Sequence, residues 1–540
     1  MGKRAVVIGL DGASWHLLDP MIEAGVMPRL GALRDKGAHG LLASTIPTYT
    51  PPAWTSAVTG VNPGRHGIYG FFEGNAQSER QVLVHSGKVK APTLWEMTEA
   101  QGATAGIYNL PLTYPPPQVA GWMISGMMTP ERGEHRLTGF GRPHAIEAKV
   151  LAVEPDYVVD VSADWEADYK TTALCDRIGR SLRQRFSVLE TLLEEDPTDI
   201  VFTVLEAPDR LQHVYHGYLD PADELYGSPQ GVAMRPRILD CYAAMDRICG
   251  LLEDWAGPDG GVIVCSDHGF TAWEASVHTN ALLQQWGLLT MKRSARALQT
   301  SLARSLVPAA KRFLPHRVAR RAKGATFSGI DWARTRAFAS PVPQQGVFVN
   351  LAGREPNGHV PEHELGAVKA EIKKRFASLR GPDGHPVTDE VHLSEEIFHG
   401  DALDGAPDVL PVLRGHRYEL DDEVFHRQPF TDVAHLPRGV HHPEGIVVLA
   451  GPGVDKGPGS REPLGSVMDV TPTLLYLAGL GVPGGLDGGV VTSVFSEAHL
   501  KANPVDTLPP LSSGVRDESS PYSKEEEAAI EESLRGLGYL

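Results

Sequence analysis

Short, nearly unbroken runs of aliphatic and β-branched residues recur along this chain, and longer amphipathic stretches separate them. The runs are RAVVIGL, TAGIYNL, DIVFTVL, GVIVCS and GIVVLAG. A strand with one wet face alternates apolar and polar residues. A strand that is apolar at nearly every position is buried on both faces, as in a largely parallel sheet. Between the runs lie helical patterns, DRIGRSLRQRFSVLETLLEED and RPRILDCYAAMDRICGLLEDWAG, the first with Leu182, Phe186, Leu189 and Leu193 near i, i+4, i+7 and i+11. Strand–helix alternation of this kind predicts an α/β fold with a mostly parallel central sheet and helices on both faces.

At 540 residues the chain is too long for one minimal core and suits a large α/β body with insertions. The body is expected over 1–290 and 324–500. Within it, residues 70–165 are rich in Pro, Gly and Met and read in part as a cap or loop layer. Residues 291–323 form a basic insertion without an acid, interrupted at Pro308 and Pro315. It reads first as a solvated helical hairpin; a cationic lid facing an anionic substrate or a membrane surface is the alternative. Residues 501–521 read as a Pro- and Ser-rich linker, and 522–540 as a helix opened by Ser523 with Glu526 three residues on, a capping box. The formal net charge of −17 argues against a nucleic-acid polymer as partner. The four cysteines, Cys175, Cys241, Cys249 and Cys265, form no CxxC pair and read as buried thiols. Neither a signal peptide nor a run of membrane-spanning length is evident, so a cytoplasmic location is the expectation.

Ligands in open α/β sheets gather beyond the carboxyl ends of the strands, and this chain places acids and imidazoles there. Asp11 follows the first run, Asp209 and His213 follow DIVFTVLEAP, Asp267 and His268 follow GVIVCS, and His441 precedes GIVVLAG and must come from a loop. Asp11 alone could be a turn or cap residue, and Asp209–His213 alone a surface ion pair. On a helix, however, the four-residue spacing puts both side chains on one face, able to reach one metal. Gly269 is expected to permit a tight backbone after Asp267-His268. Thr50, before Pro51-Pro52, is expected at or just before a helix N-terminus, as an N-cap or as a nucleophile whose following backbone N–H groups hold an anion.

The stretches IGLDG, PTYTPPAWTSAVTGVNPGRHGI, EAPDRLQH, SDHGF, GVHHPEGIVVLAGPGV and MDVTPTLLYLAGLGVP, spanning residues 5–483 in this order, resemble the alkaline phosphatase superfamily on its type I phosphodiesterase/nucleotide pyrophosphatase branch. The resemblance implies an alkaline-phosphatase-like α/β fold with cap insertions and two divalent cations, zinc with manganese as the alternative. It implies that Asp11, Asp267, His268 and the Thr50 oxygen hold one cation, and that Asp209, His213 and His441 hold the other. His442 is the alternative to His441, but the family's Gly-x-His pattern falls on Gly439-Val440-His441. Nucleotide pyrophosphatases usually carry Asn where this chain has Ala53, and Lys where it has Tyr49. The sulfatase pattern Cys-x-Pro-x-Arg is missing at Thr50-Pro51-Pro52-Ala53-Trp54.

The expected activity is therefore hydrolysis of small phosphoric esters, diesters foremost, through a phosphothreonine on Thr50. Tyr49, Trp54, Phe71 and Phe72 are candidates to pack on the second substituent of a diester. A phosphomonoesterase or a phosphoglycerate-mutase-like phosphotransferase is the rival enzyme class; the latter would release no free phosphate. The non-enzymatic rival is a metal-bound scaffold for anionic ligands or lipid head groups. It would use the 292–323 stretch, and vesicle co-sedimentation tests it.

Overall fold

The computed structural model describes residues 3–73, 82–130, 138–296, 329–340, 346–455, 462–514, 516–537 and 539. The chain falls into two compact units, one of residues 1–68, 84–272 and 437–540, the other of residues 69–83 and 273–436.

The first unit is built on a nine-stranded sheet. Its order is Pro463–Ser466, Ala38–Ala43, Glu444–Ala450, Gly261–Cys265, Ala5–Leu10, Ile200–Leu205, Ala105–Leu110, Gly121–Ser125, Gly141–Arg142. The strands from Gly261–Cys265 to Gly121–Ser125 are mutually parallel, with Ile8 in register with both Thr203 and Val264. As their composition requires, Ala5–Leu10 and Ile200–Leu205 are buried at every position. Ala5, Val7, Phe202 and Ile263 share a core with Trp54, Ala57, Leu474 and Leu475 from the helices Thr50–Thr59 and Val470–Leu477. Successive side chains alternate across a strand, so Val6 and Ile8 take the opposite face, where the helix Pro229–Ala256 contacts the sheet. Trp54 meets Phe202 edge to face at 6.0 Å and lies so close over Gly9 that a Cβ there would sit 2.5 Å from its ring.

Glu444–Ala450 runs antiparallel to both neighbours, with Val447 opposite Cys265. Its beginning therefore lies at the edge where the parallel strands end. The residues before it enter not as a loop but as a short strand, Gly439–His442, paired antiparallel with Gly269–Ala272 so that His441 faces Phe270. The helix Ala173–Glu195 also departs from the expected stripe. Leu182, Leu189 and Leu193 are buried, but Phe186 is not; the buried line runs through Arg185, which forms a buried ion pair with Glu206.

The second unit has its own core and sheet. Ala337–Ala339, Val347–Val349, Val409–Leu413 and Thr388–Leu393 form an antiparallel sheet. Phe338, Val347 and Val409 pack with Ile372 and Phe376 of the helix Leu365–Ala377. Within residues 70–165, Ala105–Leu110 and Gly121–Ser125 are inner strands of the large sheet. The segment 501–521 is no free linker. Thr507–Leu508 pairs with Val482–Pro483, and Arg516 donates to Glu96 at 2.6 Å. Lys524–Gly536 is helical with the Ser523–Glu526 capping box formed. Most of the basic 291–323 insertion lies outside the described residues. Among the described residues no helix is long and apolar enough to cross a membrane.

Candidate metal centre

The parallel strands deliver their following residues to one edge of the sheet. Asp11 continues from Ala5–Leu10, its N–H bonded to the Leu205 carbonyl at 3.1 Å. Gly12 then turns with φ +70, and its N–H donates to Asp267 Oδ1 at 3.2 Å. A Cβ on Gly12 would lie 2.5 Å from the Phe270 ring, so both conformation and space require glycine. Gly269 has a different reason: it is not among the left-handed glycines, and a Cβ there would meet the Glu444 carbonyl oxygen at 2.2 Å. Close approach of the reversed strand, not a tight turn, selects it.

Asp209 lies in the first turn of the helix Ala207–Leu219, and His213 one turn on. His213 Nε2 and His441 Nε2 are 3.0 Å apart, and each is 3.3 Å from Asp209 Oδ1. Beside this triangle, His268 Nε2 lies 3.3 Å from Asp267 Oδ2 and 3.6 Å from Asp11 Oδ1. Thr50 Oγ1 is 3.4 Å from the same nitrogen. Thr50 is the first residue of its helix, with Tyr49 at the cap position. All seven sequence-derived residues are thus gathered, and all are buried. His442, half-buried, accepts from the Glu444 N–H through Nδ1 at 3.2 Å and is not part of the cluster.

Three carboxylate oxygens here, Asp11 Oδ1, Asp209 Oδ1 and Asp267 Oδ2, are buried without a hydrogen-bond partner. They are the same oxygens that face the imidazole nitrogens. A desolvated carboxylate oxygen is costly unless a positive charge meets it. Burial, then the charges of Asp267 and Asp209, push the Asp11 carboxyl well above the usual range, and burial foremost raises Asp267 to about 7. Burial also opposes ionisation of Asp209, but His213, His441 and Arg210 hold its carboxyl well below the usual range. Burial lowers His213 to about 4 and holds His268 well below the usual imidazole value. His441 goes the other way: burial opposes its charge, but Asp209 raises its pKa. Imidazoles beside dry carboxylates are what a borderline divalent cation takes as ligands.

The outer contacts orient these groups. His441 Nδ1 donates to the Thr48 carbonyl at 3.0 Å and His268 Nδ1 to that of Gly269 at 3.1 Å, which leaves each Nε2 as the open nitrogen. Trp54 Nε1 donates to Asp11 Oδ2 at 3.0 Å. Arg210 Nη1 donates to Asp209 Oδ2 at 2.6 Å, and the Tyr539 hydroxyl to the same oxygen at 2.9 Å. Two groups able to hold an ion follow: Asp11, Asp267 and His268, and Asp209, His268 and His441. His268 reaches both; its shorter contacts to Asp267 and Asp11 place it with the first, and His213 completes the second.

Arg210 and Tyr539 are missed by sequence reasoning. Arg210 adjoins Asp209 and could have been suspected; Tyr539 carries no signal, since only the fold returns it 330 positions along the chain to Asp209. Trp54 serves Asp11 and the core, and Phe71 and Phe72 fall in the second unit. Tyr49 is buried against this cluster, its ring 5.7 Å from that of His441. The helix N-terminus supplies less than expected. Pro51 and Pro52 have no N–H, and the Ala53 N–H is bonded to the Tyr49 carbonyl at 3.1 Å.

A mostly parallel α/β sheet with this cluster at its carboxyl edge defines a hydrolase of the alkaline phosphatase superfamily. The sequence model of the type I phosphodiesterase / nucleotide pyrophosphatase family matches residues 5–419, and the chain belongs to that family of phosphoester hydrolases. Its fold is similar to phosphonoacetate hydrolase of Sinorhizobium meliloti, solved with phosphonoformate, at TM-score 0.53 and 19% identity, covering 88% of this chain and 95% of that one. Human ectonucleotide pyrophosphatase/phosphodiesterase 5 is similar at TM-score 0.50 and 14% identity, covering 92% of this chain and 100% of that one.

Proposed function

We propose that the chain is a two-metal phosphodiesterase acting through a phosphothreonine on Thr50. The observation that carries this reading is the set of three orphaned, buried carboxylate oxygens facing the Nε2 atoms of His213, His268 and His441, with Thr50 Oγ1 beside them. Asp11, Asp267 and His268, with Thr50, would hold one divalent cation, and Asp209, His213 and His441 the other; zinc suits the mixed nitrogen and oxygen donors, with manganese as the alternative. When bound, such a pair supplies Lewis-acid charge that makes an alcohol or a water nucleophilic near neutral pH.

The chain's own groups do the rest. Thr50 Oγ1 attacks phosphorus in line; the Oγ–P bond forms as the bond to the leaving alkoxide breaks, and the hydroxyl proton goes to that leaving group. Water then attacks the phosphothreonine from the opposite side and regenerates Thr50, so configuration at phosphorus is retained overall. Asp11 is held for this by Trp54, and Asp209 by Arg210 and Tyr539. With Pro51 and Pro52 lacking N–H groups, the helix start offers little to a dianionic phosphoryl group, which favours a diester, with its single charge, over a monoester.

The test is hydrolysis of bis-p-nitrophenyl phosphate beside p-nitrophenyl phosphate by the metal-loaded protein and by Thr50→Ala. The diester should be preferred. The variant should keep its metals while losing at least about 10³-fold in turnover. Full activity in Thr50→Ala would remove Thr50 from the chemistry.

A further inference from the structure

A second group of ligand-type side chains lies outside this cluster. The stripe that carries Asp209 and His213 continues down the helix Ala207–Leu219 to His216 and to Asp220, the residue that ends it. His216 is about 10 Å along the axis from Asp209. Against it stands His16 of the helix Trp15–Glu23, the element that follows Asp11. His16 Nε2 and His216 Nε2 are 3.4 Å apart, and their rings meet at 49°. Donor atoms of His16, His216 and Asp220 all lie within 4.8 Å of one another.

From this geometry we infer that His16, His216 and Asp220 form a third cation site, for a borderline divalent ion such as Zn2+. Two nitrogens on a tetrahedral zinc, at about 2.0–2.1 Å from it, stand about 3.3–3.4 Å apart, which is the separation found here. The same close approach of two Nε2 atoms occurs between His213 and His441. Asp220 Oδ1 accepts from the Ala222 N–H at 2.9 Å, which fixes the carboxylate's orientation. Two imidazoles and a carboxylate disfavour Ca2+ and Mg2+, which prefer all-oxygen shells. They leave one tetrahedral position to water, since His16 is at the surface. An ion here ties the segment after Asp11 to the helix that carries Asp209 and His213, so it braces both halves of the main cluster from outside.

The experiment is equilibrium dialysis of chelator-stripped full-length protein against Zn2+, with bound zinc counted by elemental analysis. Wild type should bind one equivalent more than His16→Ala. His16→Glu, whose carboxylate reaches about as far as the imidazole Nε2, should restore it, and Asp220→Asn, which removes the ligand's charge, should weaken that equivalent at least about 10-fold. The difference between the proteins, not the total, reads this site. If the pair at Thr50 failed to bind, both totals would fall together and the difference would stand. Equal zinc content and equal affinity in wild type and His16→Ala would overturn the inference. Because His16 is exposed, its replacement leaves the fold intact, which a matching thermal melt of the stripped proteins checks.

Discussion

At the scale of single residues, the cluster depends on groups that hold Asp209 from outside. The Tyr539 hydroxyl and Arg210 share Asp209 Oδ2, leaving Oδ1 for a cation. Partners of this kind commonly set ligand orientation and contribute about 10–100-fold to metal affinity or activity. Tyr539→Phe is therefore expected to weaken zinc binding at the Asp209 group by about 10-fold without unfolding the protein, as read by competition with a chromogenic chelator. His66 gives a different test. It is fully buried, with Nε2 2.9 Å from Ser56 Oγ and Nδ1 accepting from the Ile68 N–H at 3.1 Å. Burial lowers its pKa from 6.5 to about 3. The unfolded chain thus takes up a proton below pH 6.5 that the folded chain refuses. The stability His66 lends is whole above pH 6.5 and is lost at up to about 1.4 kcal/mol per pH unit as pH falls toward 3. Urea midpoints measured from pH 7 to 5 should fall less steeply in His66→Gln than in wild type.

At the scale of elements, the strands were legible because their burial leaves no polar position, and the ligands because chemistry placed them just past those strands. Asp11, Asp209, His213, Asp267 and His268 appear together for that reason; Thr50 at a helix start and His441 ahead of Glu444–Ala450 join them by another route. What was not legible depends on pairing between distant segments. Nothing in GIVVLAG says that it runs against its neighbours, yet that reversal turns the preceding loop into a strand and delivers His441. Nor does a 3.6-residue period distinguish Phe186 from Arg185 as the residue turned inward; the decision lies with Glu206, which begins the helix of Asp209. Arg185 also donates to the Val159 carbonyl at 2.8 Å. Arg185→Met would leave Glu206 buried and uncompensated and should destabilise the protein by about 3–5 kcal/mol, measurable by chemical denaturation. A double variant with Glu206→Gln should recover part of the loss.

At the scale of the whole molecule, the two units differ in how they close. The second is assembled from one continuous span, 273–436, and a short excursion at 69–83. The first must bring together residues on either side of that span. On the two-metal reading proposed above, cations would offset the repulsion among its buried carboxylates and so link metal and fold. Stripping the proposed metals with EDTA should lower the unfolding temperature, by an amount that corresponds to about 4 kcal/mol for each site at a thousandfold excess of metal over its dissociation constant. Differential scanning fluorimetry with zinc added back would read the recovery.

The reversed strand Glu444–Ala450 has a consequence for biosynthesis. Asp11 leaves the ribosome first, and His441 follows only after the entire intervening unit has been made. Until then the sheet lacks its partner to Gly261–Cys265, and no complete set of donors exists. If the proposed cations bind, a nascent chain stalled before residue 441 should capture zinc far more weakly than one released past 450, and cation uptake would then mark the last stage of synthesis.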